Sequence, residues 1–172
     1  LLILMGPCFL SGLHSSREIL NNRDYELKTF FSGIKKHFQR GLLAFLYSIF
    51  IFGILFMDFM FFLRRIQNSF LMILGAFVIL HTIIIFSMSQ LYFWGLLTLN
   101  SEIKLKTAVK NSFIIMLDNF LFTFLWLFIL LLISLILFLS GLGMIGLFQA
   151  ALAIFIINCN RHVLDNYPES ED

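Results

Sequence analysis

Among the polar side chains inside the long apolar stretches of this sequence, five are the residues most able to carry chemistry. They are Asp58, His81, Gln90, Asp118 and Gln149. A charge at the centre of a bilayer costs about 2.5 to 3.5 kcal/mol on insertion scales, and such groups mark ion or proton pathways in many membrane proteins. The same groups also join helices by hydrogen bonds. The pattern therefore leaves two interpretations open, a polar pathway or polar contacts between helices.

The two carboxylates lie near the ends of their apolar stretches. Asp58 is five residues from the end of its stretch, where it can reach headgroup water or pair with Arg64 or Arg65. Asp118 is one heptad after Asn111 on the same helical face. We expect it to form a polar contact with Gln90, and an ion or proton site is the alternative.

The remaining two polar groups lie deeper. His81 is eleven residues into its apolar stretch, and Gln149 lies in the last one. A lone imidazole or amide at such a depth is typically hydrogen-bonded to a neighbouring helix. We expect that role for both, with a proton relay at His81 as the alternative.

No pattern for a catalytic, metal or cofactor site accompanies these residues. Cys8 and Cys159 stand in apolar surroundings with no CxxC spacing, so we interpret them as packing residues. The segment 141–146 fits G-x-G-x-x-G, and Asp165 follows about 20 residues later. An apolar run precedes these glycines where a dinucleotide site needs a strand and a soluble βαβ unit. We expect no catalytic residue, no metal and no cofactor.

The elements that position these groups are membrane-spanning helices. Between Phe113 and Leu139 the only ionisable residue is Asp118, and the run exceeds the roughly 20 apolar residues that a helix needs to cross a membrane. The composition is 60% hydrophobic and 13% charged, against about 25% charged in soluble domains. No strand-like alternation suggests a membrane barrel. The sequence therefore predicts an all-α fold, a polytopic transmembrane helix bundle.

We predict one transmembrane domain over residues 1–160 and a polar cytoplasmic tail over 161–172. The spans cover about 1–20, 41–63, 70–99, 112–139 and 142–159. The first is interpreted as truncated, with a preceding segment missing, because the chain opens inside an apolar run. Gly6-Pro7 is expected to break or restart that helix. Ser101 is expected to cap a fourth helix that continues into the run at Phe113.

A further helix is predicted over residues 24–39, before the second span. Its apolar residues recur every three or four positions, opposite lysines and a glutamine. The apolar set is Leu27, Phe30, Phe31, Ile34 and Phe38, and the polar set is Lys28, Lys35, Lys36 and Gln39. We expect this helix to lie in the headgroup plane of the bilayer, and a core-facing surface helix is the alternative.

The positive charges predict an orientation. Six of the 12 Lys and Arg residues lie between Leu13 and Arg40, three between Ser101 and Asn111, and one in the tail. Cytoplasmic loops carry an excess of Lys and Arg, so we predict that these segments and the C-terminus are cytoplasmic. Arg64 and Arg65 oppose this assignment weakly. The net charge of +2 offers no basic field for nucleic acid, and the lipid bilayer is the expected partner.

Three segments resemble a known family. They are Gly6-Pro7 after an apolar span, FFSGIKKHFQRGL from Phe30, and QLYFWGLLTLNSEIKLKTAVKNSFIIML from Gln90. Together they resemble the YesL-type bacterial integral membrane proteins, over nearly the whole chain. The resemblance implies a plasma membrane of the Gram-positive type and association with sugar-uptake systems, and it supplies no catalytic or ligand residues. Cys8-Phe9 departs from the small residues usual after the Gly-Pro pair.

Three functions are compatible with these observations. The first is a non-enzymatic accessory or regulatory membrane component, associated with carbohydrate uptake and binding a sugar-transporter subunit. The second is a small transporter that self-associates, because four scattered polar groups do not line a route in one copy. The third, a membrane-embedded enzyme, ranks last because Asp58 and Asp118 are predicted to lie toward opposite faces of the membrane.

Overall fold

The computed structural model describes residues 2–20, 27–65, 69–100, 102–139 and 147–164, and every regular element in these ranges is an α-helix. The helices are α1 (Leu2–Leu20), α2 (Leu27–Arg64), α3 (Phe70–Leu99), α4 (Leu105–Asp118), α5 (Phe120–Leu139) and α6 (Leu147–Leu164). The predicted all-α helix bundle is confirmed.

Two of these helices are long and apolar enough to cross a membrane. They are α2, over Gly33–Arg64, and α3. The pair α4 and α5 supplies a third span if its bent halves are counted together. Over the residues that the structure describes, α1 and α6, of 19 and 18 residues, do not meet the same test. The structure thus supports a membrane protein, with two or three of the five predicted spans.

The carboxyl-terminal half of α3 is the centre of the bundle. Its residues are buried on all sides from Leu91 to Thr98, and α1, α2, α4 and α6 pack around them. The amino-terminal half of the same helix is exposed, with Phe70 76% accessible. A helix that is apolar all round lies in a protein core or in lipid. Here one half of α3 meets protein and the other half presents a surface suited to lipid.

Helices α2 and α3 form a long antiparallel hairpin. Ser48 lies opposite Gln90, the rings of Phe52 and Phe86 are 4.8 Å apart between centroids, and Phe62 lies against Gly75. Beyond the bundle core the hairpin exposes apolar side chains. They include Phe50, Phe56, Met57, Phe70, Leu71 and Phe77.

The predicted break at Gly6-Pro7 is wrong, because α1 continues through Pro7. Pro7 removes one backbone hydrogen bond, the one to the carbonyl four residues earlier, and α1 continues on both sides of it. Gly41 of α2 lies directly against this corner, and a Cβ there would come within 2.8 Å of the Pro7 Cα. The two glycines, Gly6 and Gly41, let α1 and α2 approach closely at this point.

The prediction of a separate surface helix over 24–39 is also wrong. The backbone runs without a break through Arg40 and Gly41, and α2 has 38 residues. At 1.5 Å per residue this is about 57 Å, far more than the roughly 30 Å of hydrocarbon, so one end of α2 extends past the bilayer. A segment that continues a span does not lie flat in the headgroup plane.

The side chains of this segment agree with packing against α1. Ile34 and Phe38 are half-buried, whereas Lys35 and Lys36 are exposed. The side chains of Phe30 and Phe31 lie outside the described residues.

The predicted continuous fourth helix is wrong as well. The Asn100 side-chain oxygen accepts from the N–H groups of Glu102 and Ile103, so the chain turns here and α4 begins only at Leu105. Ser101, the predicted cap, lies outside the described residues. Between α4 and α5 the axis bends by 99° at Asn119. The Asn119 amide donates to the Ile115 carbonyl, a local bond that competes with the regular helix.

Candidate functional site

Polar groups gather at one end of the bundle, where α1, α2 and the connection after α3 meet. The Arg17 guanidinium donates to the carbonyls of Thr98 and Leu99, each at 3.1 Å. Arg40 donates to the carbonyls of Asn100 and Ile103, each at 2.9 Å. We call this region, defined by Arg17, Arg40 and residues 98–103, the basic end.

These contacts cap the carboxyl terminus of α3. The last carbonyls of a helix have no partner within it and carry partial negative charge. The planar guanidinium presents several donors in a fixed arrangement, so one arginine can serve two carbonyls. Arg17 of α1 and Arg40 of α2 thereby hold the carboxyl-terminal end of α3, and both guanidinium groups stabilise the fold.

Two imidazoles extend the basic end between α1 and α2. The rings of His14 and His37 lie 5.5 Å apart between centroids, tilted by 33°. Lys36 precedes His37 and is exposed. The end of the bundle that contains Arg17 and Arg40 therefore also carries the exposed charge of Lys36.

A partly buried hydrogen bond joins α2 to α3 inside the bundle. The Ser48 hydroxyl donates to the Gln90 side-chain oxygen at 2.8 Å. Gln90 had been predicted to contact Asp118, and the structure replaces that contact with this one. Asp118 is exposed at the last position of α4.

A second buried chain of hydrogen bonds joins α3 to α5. The hydroxyls of Tyr92 and Thr123 are 2.7 Å apart, and Thr123 donates to the Asn119 carbonyl at 2.8 Å. A threonine hydroxyl has one proton, so Tyr92 is the donor to Thr123. The chain ends at the residue where α4 and α5 bend, and it fixes the bend against the central helix.

A third polar contact joins α6 to α3. Asn160 is fully buried, and its amide donates to the carbonyls of Leu91 and Ile156 at 3.0 and 2.8 Å. Gly95 provides the space, since a Cβ there would overlap the Asn160 carboxamide. The Asn160 side-chain oxygen has no hydrogen-bond partner among the described residues. The contact holds α6 on the central helix.

Two predicted polar residues remain on the outer surface of the hairpin. Asp58 is exposed, and within the described ranges it forms no ion pair with Arg64 or Arg65. The Arg65 guanidinium lies over the Phe61 ring instead, 4.2 Å from its centroid. His81 is exposed, and its Nδ1 is 2.8 Å from the carbonyl of Phe77 in the same helix, where a contact to another helix was expected.

The backbone of Gln149 belongs to α6, but its side chain lies outside the described residues. Within the described ranges, no three His, Cys, Asp or Glu side chains gather as metal ligands would.

The arginine caps and the contact of Asn160 with Gly95 were not predicted from the sequence. Arg17 and Arg40 had been counted only as positive charges that set the orientation of the chain. Their contacts with the end of α3 had not been predicted. Asn160 had been placed directly after the last predicted span, which ended at residue 159, and no role had been predicted for it. A glycine among large residues, as in YFWGLL around Gly95, is the signal that indicates a close approach of another chain segment.

The chain was compared with protein-family models, curated proteins and solved structures, and none of the three comparisons gives a match. The resemblance to the YesL-type family therefore stays a prediction.

Proposed function

We propose that this chain is a non-enzymatic accessory or regulatory component of the plasma membrane that acts by packing against a partner protein. One observation supports the proposal most. Within the bundle, Gln90, Tyr92 and Asn160 are engaged in joining helices. A conducting protein directs such groups toward a pore or a substrate cavity.

An open cavity among the described residues agrees with this function. It measures about 370 Å³ and lies between α2 and α3, lined by Ile49, Phe52, Gly53, Phe56 and Ile83. These residues offer no polar side chain to a solute. A sugar, which is dense in hydroxyl groups, would find no hydrogen-bond partner there.

The association with carbohydrate uptake is part of the proposal and rests on the resemblance described above. The expected partner is a membrane subunit of a sugar transporter. The exposed apolar half of the α2–α3 hairpin offers a surface for its helices, and the basic end offers positive charge at the membrane surface.

The proposed orientation places the basic end and the C-terminus in the cytoplasm. Reporter fusions at Lys106 and after Asp172 should then read cytoplasmic, and a fusion at Gln67 should read external. An external reading at Lys106 would overturn the orientation.

A small self-associating transporter is the second candidate, and the bend of 99° between α4 and α5 favours it. Broken helices provide the binding sites of many secondary transporters, because their free ends face the substrate. A membrane-embedded enzyme ranks below both, because Asp58 and His81 lie on the outer surface rather than in a cleft.

Crosslinking in native membranes followed by co-purification distinguishes the first two functions. The accessory function predicts one further polypeptide, a transporter subunit, recovered in fixed ratio with the tagged chain. A tagged multi-pass protein of similar size and unrelated sequence serves as the control bait. Recovery of this chain alone, at complete crosslinking, would contradict the accessory function and favour the transporter.

A further inference from the structure

Asp58 and His81 lie at the same level of the α2–α3 hairpin. Arg40 of α2 donates to the carbonyl of Asn100 at 2.9 Å, and this contact marks a common level on both helices. Asp58 follows Arg40 by 18 residues and His81 precedes Asn100 by 19. At 1.5 Å per residue the two residues lie about 27 and about 29 Å from that level.

Contacts along the hairpin keep this register. The Phe52 and Phe86 rings are in edge contact, and Phe62 lies against Gly75. Asp58 lies between Phe52 and Phe62 on α2, and His81 lies between Gly75 and Phe86 on α3. The two ionisable groups therefore share one depth in the membrane, near the end of the hairpin opposite the basic end.

The two side chains do not face each other within one copy. His81 is five residues before Phe86, so at 100° per residue it points roughly 140° away from the face that meets α2. Both residues are exposed, and neither forms an ion pair or a hydrogen bond with a side chain in the described ranges. Exposed ionisable groups among apolar side chains are costly in lipid and are normally paired.

Their chemistry is complementary. The Phe77 carbonyl can only accept, so the Nδ1 of His81 carries a proton and the Nε2 is left for an external partner. A carboxyl group binds there with one shared proton, either as a protonated Asp58 donating to Nε2 or as an imidazolium donating to the carboxylate. In both forms the pair has no net charge, which suits a membrane surface.

We propose that Asp58 of one copy pairs with His81 of a second copy, in a symmetric dimer formed by the outer halves of the two hairpins. All copies of a membrane protein share one orientation, so a two-fold axis along the membrane normal brings together residues of equal depth. Asp58 and His81 meet that requirement, and the symmetry forms the pair twice. Val78 and Ile85, exposed on α3 beside His81, supply apolar contact.

The dimer is tested with the purified full chain in vesicles of phosphatidylglycerol and phosphatidylethanolamine. Energy transfer between copies labelled at Lys35→Cys, with Cys8 and Cys159 changed to Ala, measures the affinity. Asp58→Ala and His81→Ala should each weaken dimerisation about eight- to three-hundredfold, because each variant removes both symmetric pairs and one polar contact between membrane helices contributes about three- to eighteenfold. The exchanged variant Asp58→His with His81→Asp should return to within about threefold of the original affinity. Leu80→Ala, at the same depth on another face of α3, is the control and should change nothing.

A disulfide experiment covers the case in which a variant does not fold. Copies carrying Asp58→Cys and copies carrying His81→Cys, with different tags, should crosslink to each other on oxidation. Asp58→Cys copies paired with Leu80→Cys copies should not. The proposal is overturned if the single variants dimerise like the original chain, which would mean that the two groups meet only headgroup water. It is equally overturned if the exchanged variant is no tighter than the weaker single variant, or if the original chain is monomeric. None of these results depends on the identity of a partner subunit.

Discussion

Replacing Gly95 with alanine should destabilise the bundle more than the same change at any exposed glycine. Gly95 belongs to the buried half of α3, and the carboxamide of Asn160 from α6 occupies the space beside it. A Cβ at position 95 would overlap that carboxamide, so α6 must move or Asn160 must rotate. Either response breaks the bond between Asn160 and the Leu91 carbonyl.

The expected cost has two parts. An interhelical hydrogen bond in a membrane protein contributes about 0.6 kcal/mol on average and up to about 1.7. Overpacking a well-filled core costs about 1 to 3 kcal/mol. Together they give about 3 kcal/mol, which for a chain of this size lowers the melting temperature by roughly 6 to 12 °C.

A double-mutant cycle separates the overlap from other effects of the new methyl group. Asn160→Ala removes the carboxamide that the new Cβ would overlap. By itself this change should cost about 1 kcal/mol, because the lost hydrogen bond is partly offset by the removal of a buried oxygen that has no partner. In that background Gly95→Ala should cost under about 0.5 kcal/mol. The coupling between the two positions should therefore exceed about 1.5 kcal/mol.

Gly12→Ala and Gly53→Ala are the matched controls, because a Cβ at either helical position meets nothing within 4 Å. Both should stay within about 0.5 kcal/mol of the original stability. Thermal unfolding in one detergent, followed by circular dichroism, measures all variants. The reasoning is refuted if Gly95→Ala melts at the same temperature as Gly53→Ala. It is also refuted if Gly95→Ala costs as much stability in the Asn160→Ala background as in the original chain.

Three further predictions concern the polar contacts. Arg17→Gln and Arg40→Gln should each lower stability by about 1 to 2 kcal/mol, because each removes a charged cap from the end of α3. Lys35→Gln, at an exposed site, should change stability by less than about 0.5 kcal/mol. Equal melting temperatures for all three variants would contradict the capping role. Tyr92→Phe and Thr123→Val should each cost about 0.6 to 1.7 kcal/mol of stability. The double variant should cost no more than the costlier single variant, because both changes remove the same hydrogen bond. Additive losses would show that the two hydroxyls act separately. Asp118→Asn should be silent within about 0.5 kcal/mol, because asparagine keeps the shape and hydrogen-bonding capacity of this exposed side chain. Asn119→Leu should cost about 1 kcal/mol by removing the bond to Ile115. An Asp118→Asn variant that is folded but inactive in sugar-dependent growth would show that the charge of Asp118 has a functional role.

The helical class of the fold was predictable because the backbone must satisfy its own polar groups in lipid. The α3 range from Phe70 to Leu99 follows from an uncharged run with a polar turn on either side, and Ser69 caps it as such residues do. Periodicity alone did not reveal where helices continue or bend. The segment before Arg40 is amphipathic and the segment after it is apolar, yet both lie in one helix because nothing at Arg40-Gly41 interrupts the backbone hydrogen bonds.

The bend at Asn119 was not predicted, because here the helix breaks where the hydrophobic pattern does not change. The run from Phe113 is apolar on both sides of it. A local side-chain bond to Ile115 and the hydrogen bonds from Tyr92 through Thr123 mark this position in the structure. The polar residues of the candidate site were visible in the sequence, but their partners were not. Ser48 and Gln90 are 42 positions apart, and Arg40 and Asn100 are 60 apart. Such pairs depend on how the helices pack, which a hydrophobic pattern does not specify.

Sugar flux through vesicles that contain the purified chain as their only protein tests the proposed accessory function most directly. The chain is reconstituted into vesicles loaded with radiolabelled sugar, and its melting transition verifies that it is folded. The account predicts release no faster than from protein-free vesicles, because the polar groups of the bundle join helices and the cavity between α2 and α3 is apolar. Sugar release that rises with the amount of protein and saturates with sugar concentration would contradict it and identify the chain as a transporter.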